Sequence, residues 1–228
     1  MMKRAGIEIL IGIVLIFSLV ILSVNIDGLS TKKRQLEVLY LPSGQFLEQV
    51  SLGYRNLAAD ILWFKTIQYY GGYRQGENDI KLFTHLVDVI TDLDPQFAFA
   101  YLFGGLIIAE DLGHFDEGVA FIKKGIENNP TDWWLVFELG FLHYVNNENR
   151  DLEAAAHYFE LASRLPGADE ITKRFAAFVA ARAGHVRTSI VMWDELSRTT
   201  GNPYIRALAR EYIAKLEKQL EKETENEQ

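Results

Sequence analysis

The spacing of the prolines is the feature of this chain that most constrains its fold. Four of its five prolines, Pro95, Pro130, Pro166 and Pro203, stand 35, 36 and 37 residues apart. Each closes a stretch with the apolar pattern of two helices joined by a turn. A fixed period of this length is typical of stacked helical hairpins. The period therefore predicts an all-α solenoid in which each repeat packs on its neighbours.

A second pattern supports this register, and it was not used to find the period. The turn Ala183-Gly184-His185 is similar to Leu112-Gly113-His114, and the two glycines are 71 residues apart, which is two repeats. Small residues also recur where two helices of a hairpin must approach closely, because only a hydrogen or a methyl group fits there. They are Gly104, Gly105, Gly118, Gly125, Gly140, Ala155 and Ala162.

The residues of the central repeats resemble the tetratricopeptide repeat family. Leu139-Gly140 fits that family's Leu-Gly pair, Ala155, Phe159 and Ala162 fit its second-helix positions, and Gly113 fits its turn. The resemblance covers about residues 61–198. It departs from the pattern where Gly118 and Gly125 replace alanines and where residues 146–150 lengthen a turn, and residues 61–95 keep little beyond their spacing and the Asp94-Pro95 end.

The resemblance implies a superhelix of three full repeats and one degenerate repeat, whose first helices line a concave groove. It places ten residues on that groove, and most are aromatic: Phe103, Ile107, Glu110, Trp134, Phe137, Phe141, Tyr144, Arg174, Phe178 and Arg182. Some family members hold a peptide's free carboxylate with lysine, asparagine and arginine side chains in this groove. The corresponding positions here do not reproduce that set. Such a groove suits an apolar or amphipathic peptide. The alternative is that some of these aromatics pack between repeats, since aromatics at helical spacing are usually core.

The N-terminal segment has the composition of a membrane anchor. An apolar run from Ile9 to Val24 follows Met-Met-Lys-Arg, and residues 5–26 have the length of a bilayer span, with Glu8 near the start. A cleaved signal peptide is the alternative. It would need small residues at two positions before the cut, and around Ser23-Val24-Asn25 only Ser23 is small. We expect an uncleaved, single-pass transmembrane helix.

The basic residues give little information on orientation. Lys3 and Arg4 before the span are balanced by Lys32, Lys33 and Arg34 after it, so the positive-inside rule is close to a tie. A short N-terminal tail before a long folded domain favours a repeat domain outside the cytoplasm, in the periplasm. The expected organisation is an anchor at 1–27, a linker at 28–51 with a possible short strand at 36–41, a repeat domain at 52–202, and a capping helix with an acidic tail at 203–228.

The helix that opens the repeat domain, residues 52–73, is apolar on all sides yet contains Arg55, Asp60 and Lys65. An element of this kind is buried on several faces or docks on a partner. One interpretation is that Arg55 and Asp60 pair with neighbours inside the fold, since buried charges are usually paired. The other is that the helix docks on another subunit or on the membrane surface.

Signals of chemistry are weak. The chain has no cysteine, its five histidines lack metal-ligand spacing, and its glycine pairs lack the context of a phosphate loop. A net charge of -8 without a basic stripe argues against nucleic-acid binding. We expect no catalytic residue, no cofactor and no metal.

The sequence therefore predicts a non-catalytic, membrane-tethered scaffold or adaptor for a protein or peptide partner. The alternative is a permanent subunit of a membrane complex that uses the transmembrane helix and residues 52–73 as its interface.

Overall fold

The computed structural model describes residues 53–146, 148 and 150–226 of the chain, and these residues form nine helices and no strand. We number the helices in chain order. They are α1 (Arg55–Arg74), α2 (Phe83–Leu93), α3 (Ala98–Glu110), α4 (Phe115–Asn128), α5 (Trp133–Val145), α6 (Leu152–Arg164), α7 (Glu170–Arg182), α8 (Val186–Thr199) and α9 (Pro203–Asn226).

Each helix packs on the next one along the chain, and α3 also contacts α5. This order gives four hairpins, α1–α2, α3–α4, α5–α6 and α7–α8, followed by α9. The predicted all-α architecture of repeated hairpins is confirmed for this part of the chain. No helix within it is long and apolar enough to span a membrane. The predicted anchor at 1–27, the linker and the possible strand at 36–41 lie outside the described residues.

Aspartate side chains cap the start of α5 and of α7, the first helices of two successive hairpins. The Asp132 carboxylate accepts hydrogen bonds from the backbone N–H groups of Trp134 (2.9 Å) and Leu135 (3.3 Å) at the start of α5. Asp169 accepts one from Ile171 at the start of α7 (2.8 Å). Such caps satisfy N–H groups that have no partner within the helix. The two aspartates are 37 residues apart, which matches the proline period, whereas Phe97 before α3 provides no side-chain cap.

The predicted turns are confirmed at both matched glycines. Gly113 joins α3 to α4 with φ 71°, and Gly184 joins α7 to α8 with φ 93°. Both values lie in the left-handed region, which glycine adopts without the steric cost that a Cβ brings. The sequence match between the two turns therefore reflects a shared backbone conformation.

Two of the glycines that depart from the tetratricopeptide pattern sit where helices nearly touch. A Cβ added to Gly118 in α4 would lie 2.5 Å from the carbonyl oxygen of Gly105 in α3, and one added to Gly125 would lie 2.6 Å from the Tyr101 side chain. There is no room for alanine at either position. Both glycines therefore allow α3 and α4 to pack closely in this hairpin.

The C-terminal end of the array is closed by α9. The Trp193 ring of α8 is 2% exposed and stacks on Tyr212 of α9, with ring centroids 4.7 Å apart. Ala209 and Leu216 of α9 are buried in the same cluster. The outward residues of α9 are mostly charged, which is typical of a helix that caps a solenoid.

At the N-terminal end, α1 buries Ala59, Leu62 and Thr66 and leaves its opposite face exposed. The half-buried Arg55 donates from Nε to the backbone carbonyl of Leu93 at 3.3 Å. Asp60 is exposed to solvent. The interpretation that Asp60 is held inside the fold is therefore wrong, because it projects from the side of α1 that no described helix covers.

Candidate functional site

Two of the ten predicted groove residues belong to the core. Ile107 in α3 is 5% exposed, and Phe137 in α5 is 8% exposed. The Phe137 ring lies between those of Phe159 (centroids 5.0 Å apart) and Phe175 (5.3 Å), which belong to the two following helices. For these two positions the structure corrects the expected placement, because packing between repeats leaves almost none of either side chain accessible.

The other eight predicted residues lie on α3, α5 and α7, the first helices of three successive hairpins, and keep some exposure. We call this set the first-helix surface. It comprises Phe103, Glu110, Trp134, Phe141, Tyr144, Arg174, Phe178 and Arg182. The contacts between α3 and α5 place neighbouring first helices side by side. Whether the surface binds a partner stays a prediction.

The N-terminal part of the first-helix surface is aromatic. Phe103 makes edge contacts with Trp63 and Tyr70 of α1, each at a centroid distance of 5.5 Å. Beside it, Phe99 is 44% exposed and lies 6.3 Å from the ring of Trp134, which is 49% exposed. Trp134 and Phe99 therefore offer large apolar areas, and contacts with neighbouring aromatic rings fix the positions of both side chains.

The C-terminal part combines rings with cations. Arg182 donates from Nη1 to the hydroxyl of Tyr144 at 2.6 Å, and its guanidinium carbon lies 5.5 Å from the Tyr144 ring centroid and 5.7 Å from that of Phe178. This contact joins α5 to α7 across the surface. Arg182 is nevertheless exposed, so its charge remains available to a ligand.

Two further charged groups sit on this surface. The Nε atom of Arg174 is buried, and among the described residues it has no hydrogen-bond partner. The Glu110 carboxylate accepts a hydrogen bond from the Asn146 side chain at 3.1 Å. A buried donor without a partner costs free energy, so the position of Arg174 Nε is locally unfavourable.

Glu138 belongs to the same face of α5, and the sequence interpretation missed it. It lies four residues after Trp134 and three before Phe141, spacings that share one helix face. Burial raises the pKa of the Glu138 carboxyl, and a hydrogen bond with Trp134 partly offsets this. Helical spacing from the two predicted aromatics was the signal that could have found it.

Trp63 and Phe99 were missed as well. Phe99 could have been found by its spacing of four from Phe103. Trp63 could not, because it belongs to the degenerate first repeat, where the sequence provides no register.

Three of the histidines take part in ion pairs or ring packing in the part of the chain that the structure describes. No group of three or more potential metal ligands occurs there. His114 pairs with Glu117 (3.2 Å) and His185 with Glu153 (2.7 Å), all of them exposed. His143 packs between the rings of Phe115 and Tyr158, and burial lowers its pKa.

No protein-family model matches the chain, and no curated protein sequence matches it significantly. The function is therefore inferred from the residues and geometry of the first-helix surface.

Proposed function

We propose that the chain is a membrane-tethered scaffold of the tetratricopeptide type that binds an apolar or amphipathic peptide through the first-helix surface. The observation that carries the proposal is the exposure of Trp134 and Phe99, at 49% and 44%, beside charged groups on α5 and α7. Large aromatic side chains supply most of the binding energy at protein interfaces when a partner excludes water from them.

The arrangement of charge supports a specific orientation of the ligand. Glu138 lies near Trp134 on α5, and Arg174 and Arg182 lie on α7. An amphipathic helix or extended peptide would place its apolar residues on the rings and a basic group near Glu138, with an acidic group toward Arg182. Opposite charges at the two parts of a surface fix the register of a ligand more than they raise affinity.

The apolar run at Ile9–Val24 supports attachment to a membrane. The short tail before this run favours a repeat domain in the periplasm. Tethering confines the search for a partner to the membrane surface and raises its effective concentration. We infer no cofactor, metal or nucleic acid in this function, and no catalysis.

Site-specific crosslinking in native membranes tests the proposal. A photoreactive amino acid at position 134 should capture a partner, whereas the same group at Val191 of α8, which is 66% exposed, should not. The captured partner should then bind the purified full-length protein, and Trp134→Ala should weaken that binding by roughly thirtyfold, the equivalent of about 2 kcal/mol. Identical products from both positions, or unchanged binding by the Trp134 variant, would contradict a role for the first-helix surface.

A second function, permanent subunit of a membrane complex, is favoured by one observation. The outward side of α1 exposes Leu57, Ile61 and Phe64 (55%, 54% and 65%). Extraction in mild detergent separates the two functions. A stable stoichiometric assembly supports the subunit, whereas a monomer that captures peptides supports the adaptor.

A further inference from the structure

One side of α1, together with its N-cap residue Tyr54, carries a stripe of exposed apolar residues that the first-helix surface does not use. Tyr54, Leu57, Ile61 and Phe64 are 71%, 55%, 54% and 65% exposed. Their spacings of three, four and three place them on one face of the helix. At a rise of about 1.5 Å per residue the stripe is about 15 Å long. We call these four residues the α1 stripe.

The stripe lies opposite Ala59, Leu62 and Thr66, the residues that α1 buries. It therefore faces outward at the first end of the described array. A terminal helix of a solenoid normally turns a polar side to water, as α9 does here. The exposed Asp60 lies at the edge of this stripe. An exposed apolar stripe marks a surface that meets a partner or a membrane.

The size of the stripe argues against a second copy of the chain as its partner. A face about 15 Å long and about 10 Å wide, the diameter of a helix, is far smaller than the roughly 800 Å² that each partner buries in a stable dimer. A bilayer needs no complementary surface. A single helix face with aromatic and aliphatic residues is sufficient to enter the headgroup region.

The sequence before α1 favours the bilayer as the occupant. The apolar run ends at Val24, thirty residues before Tyr54, and Lys32, Lys33 and Arg34 stand between them. Thirty residues span at most about 100 Å, so an anchor in this run keeps the first end of the array within that distance of the lipid surface. The α1 helix has three basic residues, Arg55, Lys65 and Arg74, against the single acidic Asp60, in a chain of net charge -8. Arg74 pairs with Asp111 at 3.4 Å, so the excess of positive charge on α1 is small. The helix thus meets anionic lipid with less repulsion than the chain as a whole.

We propose that the α1 stripe lies in the headgroup region of the bilayer, with the helix axis along the membrane surface. The inference rests on the proposed membrane tether and adds a second contact to it. Leu57, Ile61 and Phe64 enter to a depth of about 5–10 Å, and the Tyr54 hydroxyl stays among the headgroups. Trp63 of α1 packs on Phe97, Phe99 and Phe103 at centroid distances of 5.4, 5.7 and 5.5 Å. The orientation of α1 therefore fixes that of the first-helix surface relative to the membrane.

Fluorescence quenching by lipid tests this arrangement, and the absence of cysteine allows single labels. The full-length Phe64→Cys and Val191→Cys variants receive an environment-sensitive fluorophore and are reconstituted into vesicles of equal parts phosphatidylcholine and phosphatidylglycerol. The two positions are matched, since Phe64 is 65% and Val191 66% exposed. The label at 64 should shift to shorter wavelength and lose most of its emission to a nitroxide near the headgroup end of the acyl chain. The label at 191 should do neither.

A second variant checks that the stripe itself causes insertion. Adding Ile61→Glu to the protein labelled at 64 should abolish the quenching, because a carboxylate on this face opposes entry into the bilayer. Far-UV circular dichroism verifies that α1 is intact in this variant.

Other outcomes overturn the inference. A blue shift at 64 without lipid quenching means that protein covers the stripe. If the shift depends on protein concentration, a second copy covers it. If the shift does not depend on concentration, another part of the same chain covers it. Absence of a shift means that the stripe stays in water. Flotation with the vesicles is measured on the same samples. A chain that floats without quenching contradicts only the stripe, whereas a chain that does not float contradicts the tether as well.

Discussion

The two ends of the described array are built in opposite ways. At the C-terminal end α9 covers Trp193 and Leu196 and presents charged residues to water. At the N-terminal end α1 covers α2 with one face and exposes Leu57, Ile61 and Phe64 on the other. A solenoid needs a polar surface at each terminus to remain soluble. Among the described residues, a mostly charged helix therefore covers the C-terminal end, whereas the N-terminal end keeps an apolar face that no described helix covers.

The largest effect is expected at the closed end. Trp193→Ala removes a buried ring that stacks on Tyr212, so we expect it to lower the free energy of unfolding by about 3–5 kcal/mol. Urea titration followed by circular dichroism measures this loss.

The matched change at the open end is Phe64→Ala, which should alter stability by less than about 0.5 kcal/mol because the ring is exposed. Trp193→Phe is the control for ring loss, since it keeps stacking and removes an indole N–H that has no partner among the described residues. Equal losses in Trp193→Ala and Phe64→Ala would mean that the two ends do not differ.

The next largest effect concerns how tightly helices cross. Gly118→Ala should lower the free energy of unfolding by about 1–3 kcal/mol. The new methyl group would clash with the Gly105 carbonyl oxygen and the backbone of Ala109, and backbone atoms within helices cannot shift without a free-energy cost. Thermal unfolding checks this prediction.

Gly71 in α1 is the matched control, since a Cβ there meets nothing within 4 Å. Gly71→Ala should stabilise by up to about 1 kcal/mol through the higher helix propensity of alanine. A destabilised Gly71→Ala variant would show that α1 is more closely covered than the comparison of the ends requires.

A smaller effect on stability is expected for Glu138, which lies on the surface between the two ends. Burial raises the pKa of Glu138, so the folded protein holds a proton that the unfolded chain releases at the same pH. Between the two pKa values stability falls as pH rises, and at neutral pH the ionised carboxylate is destabilising. Glu138→Gln should remove this dependence and raise the melting temperature near pH 7 by less than about 4 °C.

The matched control for that change is Glu110→Gln, whose carboxylate is exposed. It should change the melting temperature near pH 7 by less than Glu138→Gln does, because substitutions of exposed side chains have small effects on stability. A pH profile of melting that is the same in the parent and in Glu138→Gln would show that Glu138 is better hydrated than its burial indicates.

Much of the repeat architecture could be predicted from the sequence because local chemistry encodes it. The proline period, the turn glycines Gly113 and Gly184 and the small residues at crossings all act over a few residues, and their structural roles follow from backbone sterics. The capping helix was predicted to start at Pro203, and α9 begins there. Proline is favoured at the first position of a helix, where its missing N–H costs nothing.

The accessible surface was decided by tertiary packing. Ile107, Phe137 and Phe103 have similar patterns in the sequence, yet the first two are buried and the third is half-buried. The α1 helix is apolar on all sides in the sequence, and only the positions of α2 and α3 separate its core residues from the exposed stripe. Periodicity specifies which residues share a helix face. How much of that face is covered depends on the distance and angle of the neighbouring helices, which are set by contacts between residues far apart in the chain.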